Sequence, residues 1–434
     1  MNSIWSADRD STRYEPINGT RHTDVLIIGG GMAGILCAHR LTSAGIDCLV
    51  AEAGRIANGV TANTTAKITL QHGFIYDKLI RKFGEDTARL YAEAQVMAGE
   101  EFARLCRVIP CDYERRDSFV YSRDDRRELE REQFALESVG IEAELIDKVP
   151  IPVDTVGAIR VKNQAQFHPL KFALTLAKEL QISEGTRVLE IRGDTAITDR
   201  GRITFKKVIV ATHFPFLNKH GSYFLKMYQH RSYVLALENA TLPRGMYVDG
   251  AKDGLSFRTY GKHLLLGGGA HRSGASGGGW RPLEEFARNN YPDSHIAFRY
   301  ATQDCMTLDG IPYIGKYSRR TPSMYVATGF NKWGMTSSMI AAILLCDLIQ
   351  ERDNDLEEIF SPSRSILHPS LLSNVLHSAI GLLTPTVPRC PHLGCALKYN
   401  RAEHSWDCPC HGSRFTEDGR SLDGPANGNI TRKL

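Results

Sequence analysis

TDVLIIGGGMAGILCAHRLTSAGIDCLVAEAGR, from Thr23 to Arg55, combines three patterns in a fixed order. An apolar run at 24–28 is typical of a buried parallel strand, and a helical pattern of apolar residues then continues until Gly45. A second apolar run, 47–51, ends at Glu52. The turn GGGMAG at 29–34 lies between the first strand and the helix. This order predicts a strand–turn–helix–strand unit of an α/β fold.

The turn has the spacing G-x-G-x-x-G, and each part of it has a mechanical role. Gly29 allows the tight turn, Gly31 lets a pyrophosphate approach the backbone, and Gly34 lets the helix pack on the strand. The helix N-terminus offers free N–H groups to phosphates. Glu52 is placed to accept a hydrogen bond from a ribose hydroxyl. The stretch therefore predicts a dinucleotide site.

A second site of this kind is not predicted. The glycine-rich stretch LLLGGGAHRSGASGGG, residues 264–279, has Arg272 where the third glycine should be. No helical pattern follows it, so we interpret it as a strand and then a flexible loop. A flavoprotein reductase that uses NADH usually needs two dinucleotide sites, and this sequence offers one.

Length and composition set the outer limits. With 434 residues, of which 42% are hydrophobic and 24% charged, the chain has the size of two or three domains with a sizeable core. The net charge of +4 gives no reason to expect nucleic acid or an anionic membrane. No apolar run is long enough to span a bilayer. The polar segment 1–22 has no apolar core, so we expect a disordered leader and a cytoplasmic protein.

The stretch CPHLGCALKYNRAEHSWDCPCHGS, from Cys390 to Ser413, holds four cysteines and three histidines. A zinc site usually shows C-x2-C pairs, which are absent here, although zinc stays open as an alternative. A disulfide knot would not require histidines beside the cysteines. A Rieske [2Fe–2S] cluster needs two cysteines on one iron and two histidines on the other. The other six cysteines are scattered, and we expect them to be buried thiols.

The rest of the chain resembles a known family. The N-terminal turn, EAGRIANGVTANTTAKIT, FHPLKFA, VIVAT and TLDGIPYIG with ATGFNKWGMT are similar to the D-amino-acid-oxidase/glycine-oxidase superfamily over about 23–350. The resemblance implies a Rossmann-like FAD-binding domain with an interleaved α+β substrate domain on a mixed sheet. We expect FAD-binding segments at about 23–80, 160–215 and 300–350. The substrate part is expected at about 81–159 and 216–299, and the oxidoreductase domain as a whole spans 23–360.

The same resemblance implies which residues hold FAD. They lie in the turn, at the end of the second strand, after it, and near the flavin ring: Gly29, Gly31, Met32, Ala33, Gly34, Glu52, Ala53, Arg55, Thr65, Ala66, Lys67, Val188, Ala211, Thr212, Gly310, Gly334, Met335 and Thr336. A long helix starts near Gly334. Its N-terminal dipole would stabilise negative charge on the reduced flavin.

The closing stretch resembles the two boxes of the Rieske family. The resemblance implies Cys390 and Cys408 on one iron, His392 and His411 on the other, and a disulfide between Cys395 and Cys410. Ser413 matches a serine that bonds a bridging sulfide. Phe415 stands where high-potential members carry a tyrosine, which predicts a lower potential here. The stretch 421–430 resembles the family's proline loop.

The module is expected to be a small all-β unit at 389–434, abbreviated because the usual strands before the first box are missing. About 45 residues cannot bury much on their own. A linker and helix at 361–388 come before it, with an apolar face that we expect to be a docking surface: Leu371, Leu372, Val375, Ile380 and Leu382. No length remains for a separate mononuclear iron domain, which argues against a Rieske oxygenase.

A fusion of the two modules also forms a recognisable group, which TTAKITLQHGFIYDKL, ATHFPF and RSYVLAL resemble. Flavin takes two electrons and a Rieske cluster carries one. The combination predicts a dehydrogenase that oxidises an amine or amino acid and passes electrons singly to a protein or quinone acceptor. An electron-transfer component fed by NADH or a redox protein stays open, and a redox sensor is a weaker third hypothesis.

Candidate substrate-pocket residues are taken from polar side chains in the substrate part: His72, Tyr76, Arg231, Tyr233, Arg258 and His271. Arg258 is our candidate for a substrate carboxylate, because its planar guanidinium suits one. A purely structural arginine is the competing interpretation. His72 can equally be structural or functional.

Overall fold

The computed structural model describes residues 3–7, 9, 12–217, 220–251, 254–275, 277–385 and 388–430. Five residues of the leader (1, 2, 8, 10 and 11) and the last four of the chain lie outside that range. The ten α-helices of the described residues are α1 Met32–Ser43, α2 Tyr76–Phe83, α3 Glu85–Cys106, α4 Arg126–Ser138, α5 Pro169–Ala177, α6 Tyr223–Lys226, α7 Arg281–Asn290, α8 Gly334–Ile349, α9 Leu356–Phe360 and α10 Pro369–Leu383.

The described strands form three sheets. They are β1 Gly19–Ile28, β2 Cys48–Ala51, β3 Lys67–Ile68, β4 Glu114–Ser122, β5 Glu144–Ile146, β6 Gly157–Gln166, β7 Ile182–Ser183, β8 Val188–Arg192, β9 Thr195–Thr198, β10 Gly201–Val210, β11 Met227–Glu238, β12 Met246–Asp249, β13 Ser256–Tyr260, β14 His263–Arg272, β15 His295–Thr307, β16 Tyr313–Lys316, β17 Met324–Thr328, β18 Lys398–Asn400, β19 Ser405–Asp407, β20 Arg414–Thr416 and β21 Ser421–Asp423.

The first sheet contains the predicted dinucleotide unit. Its order is β16-β17-β10-β1-β2-β7, with β8 and β9 attached beside β10. β1 pairs in parallel with β2 and β10, and β17 pairs in parallel with β10. Helices α1 and α8 cover one side of this sheet with a shared apolar core. The carboxyl ends of β1, β10 and β17 therefore meet at one edge, where open α/β sheets bind ligands.

The second sheet is the predicted mixed sheet. Its order is β15-β11-β14-β13-β12-β4-β6-β3, with β5 paired to β6. All its pairs are antiparallel except β12 with β4. β3, β6 and β15 belong to it, although the sequence assigns most of their residues to FAD-binding segments. The two domains therefore interleave more finely along the chain than their predicted boundaries suggest.

The leader does not match the expectation of disorder. Ile4–Ser6 forms a 3₁₀ helix, and the side chain of Trp5 is fully buried. β1 begins at Gly19, five residues before the predicted strand. The polar composition of this segment gave no indication that the large side chain of Trp5 packs into the main core.

The C-terminal module is a four-stranded antiparallel sheet in the order β18-β19-β20-β21. Its own apolar cluster contains few residues besides the cysteines. α10 precedes it, with the buried Gly381 against Cys410 of the module and the buried Asn374 bonded to Leu225 and Arg272 of the flavin domain. The apolar face predicted to dock is exposed instead, with Leu372 at 77% and Ile380 at 56%. Within the described ranges, no helix combines the length and apolarity needed to cross a membrane.

Candidate functional site

The glycine turn between β1 and α1 is as tight as its spacing predicts. A Cβ on Gly34 would lie 1.9 Å from the carbonyl oxygen of Gly29, and a Cβ on Gly29 would lie 2.6 Å from the oxygen of Ala211. Gly29 also has a positive φ of 108°, which favours glycine. Gly31 has open space around it, with Thr61 Oγ1 3.6 Å away. The turn leaves room for a phosphate where the motif requires it.

Glu52 lies at the end of β2 and closes this edge. Its carboxylate accepts hydrogen bonds from the amides of Gly30 at 2.8 Å and Gly54 at 2.7 Å. Its backbone oxygen accepts from the amide of Thr186 at 2.9 Å, which brings the start of β8 at Val188 to the same edge. Burial raises the pKa of Glu52. The acid is positioned beside the turn, as the sequence predicts.

Arg258 holds the segment that leads into β3. Its Nη1 donates to the carbonyl oxygen of Ala66 at 2.8 Å and to that of Thr65. Its guanidinium lies over the ring of Trp5 at 5.2 Å, and Trp5 Nε1 donates to the oxygen of Thr64 at 2.7 Å. Burial lowers the pKa of Arg258 to about 10. These contacts favour the structural interpretation of Arg258 over carboxylate binding. Arg258 holds the segment that is expected to bind FAD.

Lys67 follows that segment. Burial lowers the pKa of Lys67 to about 7, and the nearby Arg258 adds to the shift. Its Nζ is 3.5 Å from Thr65 Oγ1. A lysine with this pKa is partly neutral at pH 7, so it can donate to or accept from a bound ring.

His72 is fixed between the substrate part and the last long helix. Nδ1 is 2.7 Å from the hydroxyl of Tyr91, and Nε2 is 3.0 Å from the oxygen of Thr69 and 3.3 Å from Thr336 Oγ1. The ring stacks on Trp333 at 4.7 Å. Burial lowers the pKa of His72 to about 3, so the ring is neutral. His72 thus supports the start of α8, and nearby Tyr76 is likewise bound to a backbone oxygen.

The start of α8 is tied to the loop before β16. Asn331 Oδ1 accepts from the amide of Thr307 at 2.8 Å, and Thr307 Oγ1 accepts from the amide of Gly310 at 3.1 Å. α8 then begins at Gly334, followed by the buried Met335 and Thr336. The start of α8 and the loop at Gly310 are thus joined through Thr307 and Asn331, and the assignment of Gly310, Gly334, Met335 and Thr336 to FAD stays a prediction.

The structure separates Tyr233, His271 and Arg231 from the FAD segments. Tyr233 and His271 are linked at 3.1 Å between the hydroxyl and Nε2. Asn400 of the C-terminal module donates to the Tyr233 hydroxyl at 3.4 Å. Arg231 Nε donates to Glu403 of the same module at 2.7 Å. Because side chains alternate between the faces of a strand, these three residues face the cluster module and not the FAD segments.

The opposite face of β11 and β15 carries polar residues that the sequence did not single out. The Tyr300 hydroxyl reaches the oxygen of Thr64 at 3.5 Å, which identifies this face as the one toward the FAD segment. Further along the same face lie Thr302 and Asp304, with Ser232 Oγ 3.5 Å from Asp304 Oδ2. One signal was available: Asp304 is an acid inside a long strand, a position that rarely holds an unpaired charge.

The two cysteine loops of the module repeat one hydrogen-bond pattern. The amide of Cys390 donates to the oxygen of Cys395, and the amide of Cys408 donates to that of Ser413, both at 2.8 Å. Cys390 and Cys408 are buried. The thiol of Cys408, by bonding to its neighbour, lowers the pKa of Cys390 to about 7. Two sulfurs this close, with one poised to ionise, fit one iron of a cluster.

The two histidines complete the set. The rings of His392 and His411 lie 5.0 Å apart between centroids. Burial lowers the pKa of His392 to about 4 and that of His411 to about 3, so both are neutral, as metal ligands must be. Both ring nitrogens of His411 are buried without a hydrogen bond of ordinary geometry to a described residue. A buried polar ring of this kind fits a metal.

The surroundings of these ligands match a cluster site. Cys395 and Cys410 form a disulfide that joins the two loops. Ser413 is fully buried, and its Oγ accepts from the amide of Ala426 at 3.2 Å, in the loop resembling the proline loop. Phe415 is fully buried in the apolar cluster of the module.

The histidine edge of the module faces the flavin domain. The ring of His411 lies 5.8 Å from that of Phe214 and 6.1 Å from that of Phe224. Gln303 of β15 donates to the oxygen of Gly412 at 2.8 Å. Phe214 follows the end of β10, where Ala211 and Thr212 lie. The cluster ligands and the predicted nucleotide residues are therefore connected through a short piece of one chain.

The fold and its two sites define a flavoprotein oxidoreductase that carries a Rieske cluster in the same chain. The family described as "FAD dependent oxidoreductase" matches residues 24–348, and the Rieske [2Fe-2S] domain matches residues 376–432. The chain belongs to this FAD-dependent oxidoreductase family. Its cofactors are FAD and a Rieske [2Fe–2S] cluster.

Individual relatives agree with this assignment. YhfW of Bacillus subtilis (strain 168), whose name describes a Rieske 2Fe-2S iron-sulfur protein, is 35% identical over 98% of this chain and 96% of its own. Gamma-glutamylputrescine oxidoreductase of Escherichia coli (strain K12) is 25% identical over 78% of this chain and 86% of its own. Glycine oxidase from Geobacillus kaustophilus has the same fold, with a TM-score of 0.67 at 19% identity, covering 80% of this chain and 99% of that enzyme.

Proposed function

We propose that this protein is a dehydrogenase that oxidises a small amine or amino acid at a C–N bond and passes the electrons singly to an external acceptor. When bound, FAD supplies the two-electron oxidation and the Rieske cluster supplies the one-electron transfer. The acceptor is a protein or a quinone. We place the enzyme in the cytoplasm on sequence grounds alone. The named activity of the E. coli relative supports an amine or amino acid as the substrate class.

One observation carries the proposal: the His411 ring packs against Phe214, three residues after Ala211 at the edge where FAD is expected. This contact supports a short path between the two redox sites. It gives the cluster module a function inside the chain, since electrons from a substrate have a direct route to it. The buried ring of His411 (2% exposed) faces the flavin domain, whereas His392 is only partly buried and leaves a side of the cluster module for the external acceptor.

The chain's own residues provide the rest of the site. The glycine turn and Glu52 hold the dinucleotide end, and the Arg258 contacts fix the segment at Thr65 and Ala66. His72 positions the start of α8. Cys390, His392, Cys408 and His411 hold the cluster, and the disulfide Cys395–Cys410 keeps their loops together. The C-terminal module covers the back of β11 and β15 and excludes water there.

The test is an anaerobic absorption experiment on purified holoprotein with a panel of amines and amino acids. We expect one class of compound to bleach the flavin band, followed by reduction of the cluster band. The Cys408→Ser variant, which loses a cluster ligand, should show the first phase without the second. Rapid bleaching by NADH or a reduced ferredoxin, with none by any amine, would instead make the protein an electron-transfer component. Zinc in place of iron would overturn the cluster assignment.

A further inference from the structure

A carboxylate and two hydroxyls lie together on the FAD-facing side of the mixed sheet. Asp304 and Thr302 are two residues apart on β15, so both point to the same face as Tyr300. Ser232 lies directly opposite Thr302 in the pairing of β11 with β15. Asp304 is at the end of the sheet closest to the turn 329–333, because the amide of Asn331 donates to the oxygen of Cys305 at 3.1 Å.

This location is the ligand-binding edge of the nucleotide sheet. Residues 329–333 follow the end of β17, and His213 follows the end of β10. Burial raises the pKa of the Asp304 carboxyl, and Lys332 and His213, on these two segments, offset part of that shift. Asp304 is thus enclosed between the mixed sheet and both strand ends where FAD is expected. A substrate beside the flavin has to occupy this space.

Asp304 is buried without a matching cation. Asp304 is only 9% exposed. No Lys, Arg or His of the described chain lies within 4.0 Å of its carboxylate. Arg231, whose charge also acts on it, is already bound to Glu403 on the other face. A buried acid normally has a salt-bridge partner. Among the described residues, the one hydrogen-bond partner of Asp304 is the Ser232 hydroxyl at 3.5 Å.

The neighbouring hydroxyls complete a set of acceptors. Thr302 Oγ1 is buried and has no hydrogen-bond partner among the described residues. An ammonium group has three N–H donors and no acceptor. The carboxylate of Asp304 and the hydroxyl oxygens of Ser232 and Thr302 offer three acceptors in one small region. An anionic group would be repelled by the carboxylate, and a neutral group would leave it without a countercharge, which favours its protonated form.

We infer that Asp304, with Ser232 and Thr302, binds the substrate's amine as the ammonium ion and takes up one N–H proton, which leaves the neutral amine that oxidation at the C–N bond requires. This inference rests on the proposed function and names the residues that bind the nitrogen of its substrate. The pocket candidates taken from the sequence were Arg258, for a carboxylate, and Tyr233 and His271, without an assigned contact, and they did not include Asp304. The substrate's nitrogen is held on the sheet side, with its carbon toward the expected flavin.

The test uses tert-butylamine, which carries a charge at pH 7 and has no hydrogen on its α-carbon to be removed. Its binding to the FAD-loaded, fully assembled protein is followed by the shift in the flavin absorption band. We expect saturable binding to the wild type. Asp304→Asn should weaken it about 10- to 100-fold, as the loss of a charged hydrogen bond in a buried site does. tert-Butanol, the neutral analogue, should bind both proteins equally.

Three further variants separate binding from folding. Asp304→Glu keeps the charge and should recover part of the affinity. Thr302→Val removes one acceptor and should cost roughly 3- to 10-fold. Asp249→Asn is the matched control, because Asp249 is a buried acid of the same sheet that pairs with Arg123 at 2.9 Å. It should leave the affinity for tert-butylamine unchanged. FAD content and melting temperature are measured for every variant.

The outcomes distinguish the two levels of the proposal. Equal binding of tert-butylamine by the wild type and Asp304→Asn, or none by the wild type, overturns the role of Asp304. If amines bleach the flavin and Asp304→Asn keeps the wild-type KM for them, the proposed function stands and this inference fails. If no amine bleaches the flavin although tert-butylamine binds through Asp304, the proposed oxidation fails and the cation site remains.

Discussion

The flavin domain and the cluster module use opposite means to build a redox site. Close backbone contacts shape the glycine turn of the flavin domain, the Glu52 carboxylate accepts from the amide of Gly30, and a large apolar core surrounds the turn. The cluster module has four strands of three residues each and a small core made mostly of cysteines. A buried ion pair links it to its neighbour, since Arg231 of the flavin domain binds Glu403 of the module, which Arg414 of the module also binds. A self-sufficient core tolerates an isolated polar change, whereas a module held by a few polar contacts does not.

The largest effect is expected at the turn of the flavin domain. Gly34→Ala puts a methyl group 1.9 Å from the oxygen of Gly29, a backbone atom that cannot move away. α1 has to separate from β1, so we expect loss of the folded holoprotein with both cofactors, assayed as soluble flavin and iron. Gly99→Ala is the control, because the site in α3 is open. It should be neutral or stabilising by up to about 1 kcal/mol. A soluble, FAD-loaded Gly34→Ala protein would contradict this account of the turn.

The next effect tests how the module is attached. Arg231→Met leaves Glu403 buried with Arg414 as its remaining partner. Stranding part of a buried charge should cost the docked module about 3 kcal/mol. We expect faster proteolysis within 361–388 and loss of the cluster band, while the flavin band stays. Adding Glu403→Gln should recover part of the loss.

Arg299→Met on the same sheet is the matched control for this prediction. Arg299 forms an exposed pair with Glu284 at 3.7 Å, and such pairs contribute at most about 1 kcal/mol. If both variants digest at the same rate as the wild type, the buried charges do not attach the module.

The comparison also shows which features sequence can predict. Gly29 to Gly34 and the set from Cys390 to His411 are local patterns, so their roles follow from spacing and from the family resemblance. The faces of β11 could not be assigned in this way, because Arg231 and Tyr233 meet Glu403 and Asn400 far along the chain. Their role is fixed by where the module docks, which no local pattern encodes.

Two other predictions that rested on composition, for the leader and for α10, differ from the structure for a similar physical reason. The polar leader was expected to be disordered, yet the side chains of Ile4 and Trp5 are buried in the core and Arg9 donates to the oxygen of Ile56 at 2.7 Å. α10 was expected to dock by its leucines, yet Asn374 faces inward because it bonds the oxygen of Leu225 at 2.9 Å and Arg272 at 2.6 Å. The orientation of α10 is therefore set by the polar partners of Asn374 and not by the hydrophobic pattern of the helix.

A moderate effect is expected where α10 meets the disulfide. A Cβ on Gly381 would lie 2.7 Å from Cys410 Sγ, and a disulfide sulfur has little freedom to move. Gly381→Val should therefore destabilise the module by about 2 kcal/mol, although valine has a higher helix propensity than glycine. We expect reduced cluster content by electron paramagnetic resonance. Ser373→Ala, on the exposed side of the same helix, should behave as the wild type. Equal cluster content in both would mean that α10 does not restrain the loops.

The smallest effect concerns the reduction potential, and it separates the cluster's ligands from their surroundings. Phe415 is fully buried with the cluster cysteines. Phe415→Tyr adds a hydroxyl that can donate to a cysteine sulfur, as the resemblance implies for high-potential members. A hydrogen bond of about 1 kcal/mol that favours the reduced state raises a one-electron potential by about 40 mV.

Ser413→Ala should lower the cluster potential by a similar amount, because the Ser413 hydroxyl stabilises negative charge on Cys390. Redox titration of the cluster band measures both, and the flavin potential serves as the internal control. Lower stability of Phe415→Tyr with an unchanged potential would mean that the added hydroxyl donates to no sulfur, and that the apolar packing around Phe415 differs from the packing in the high-potential members.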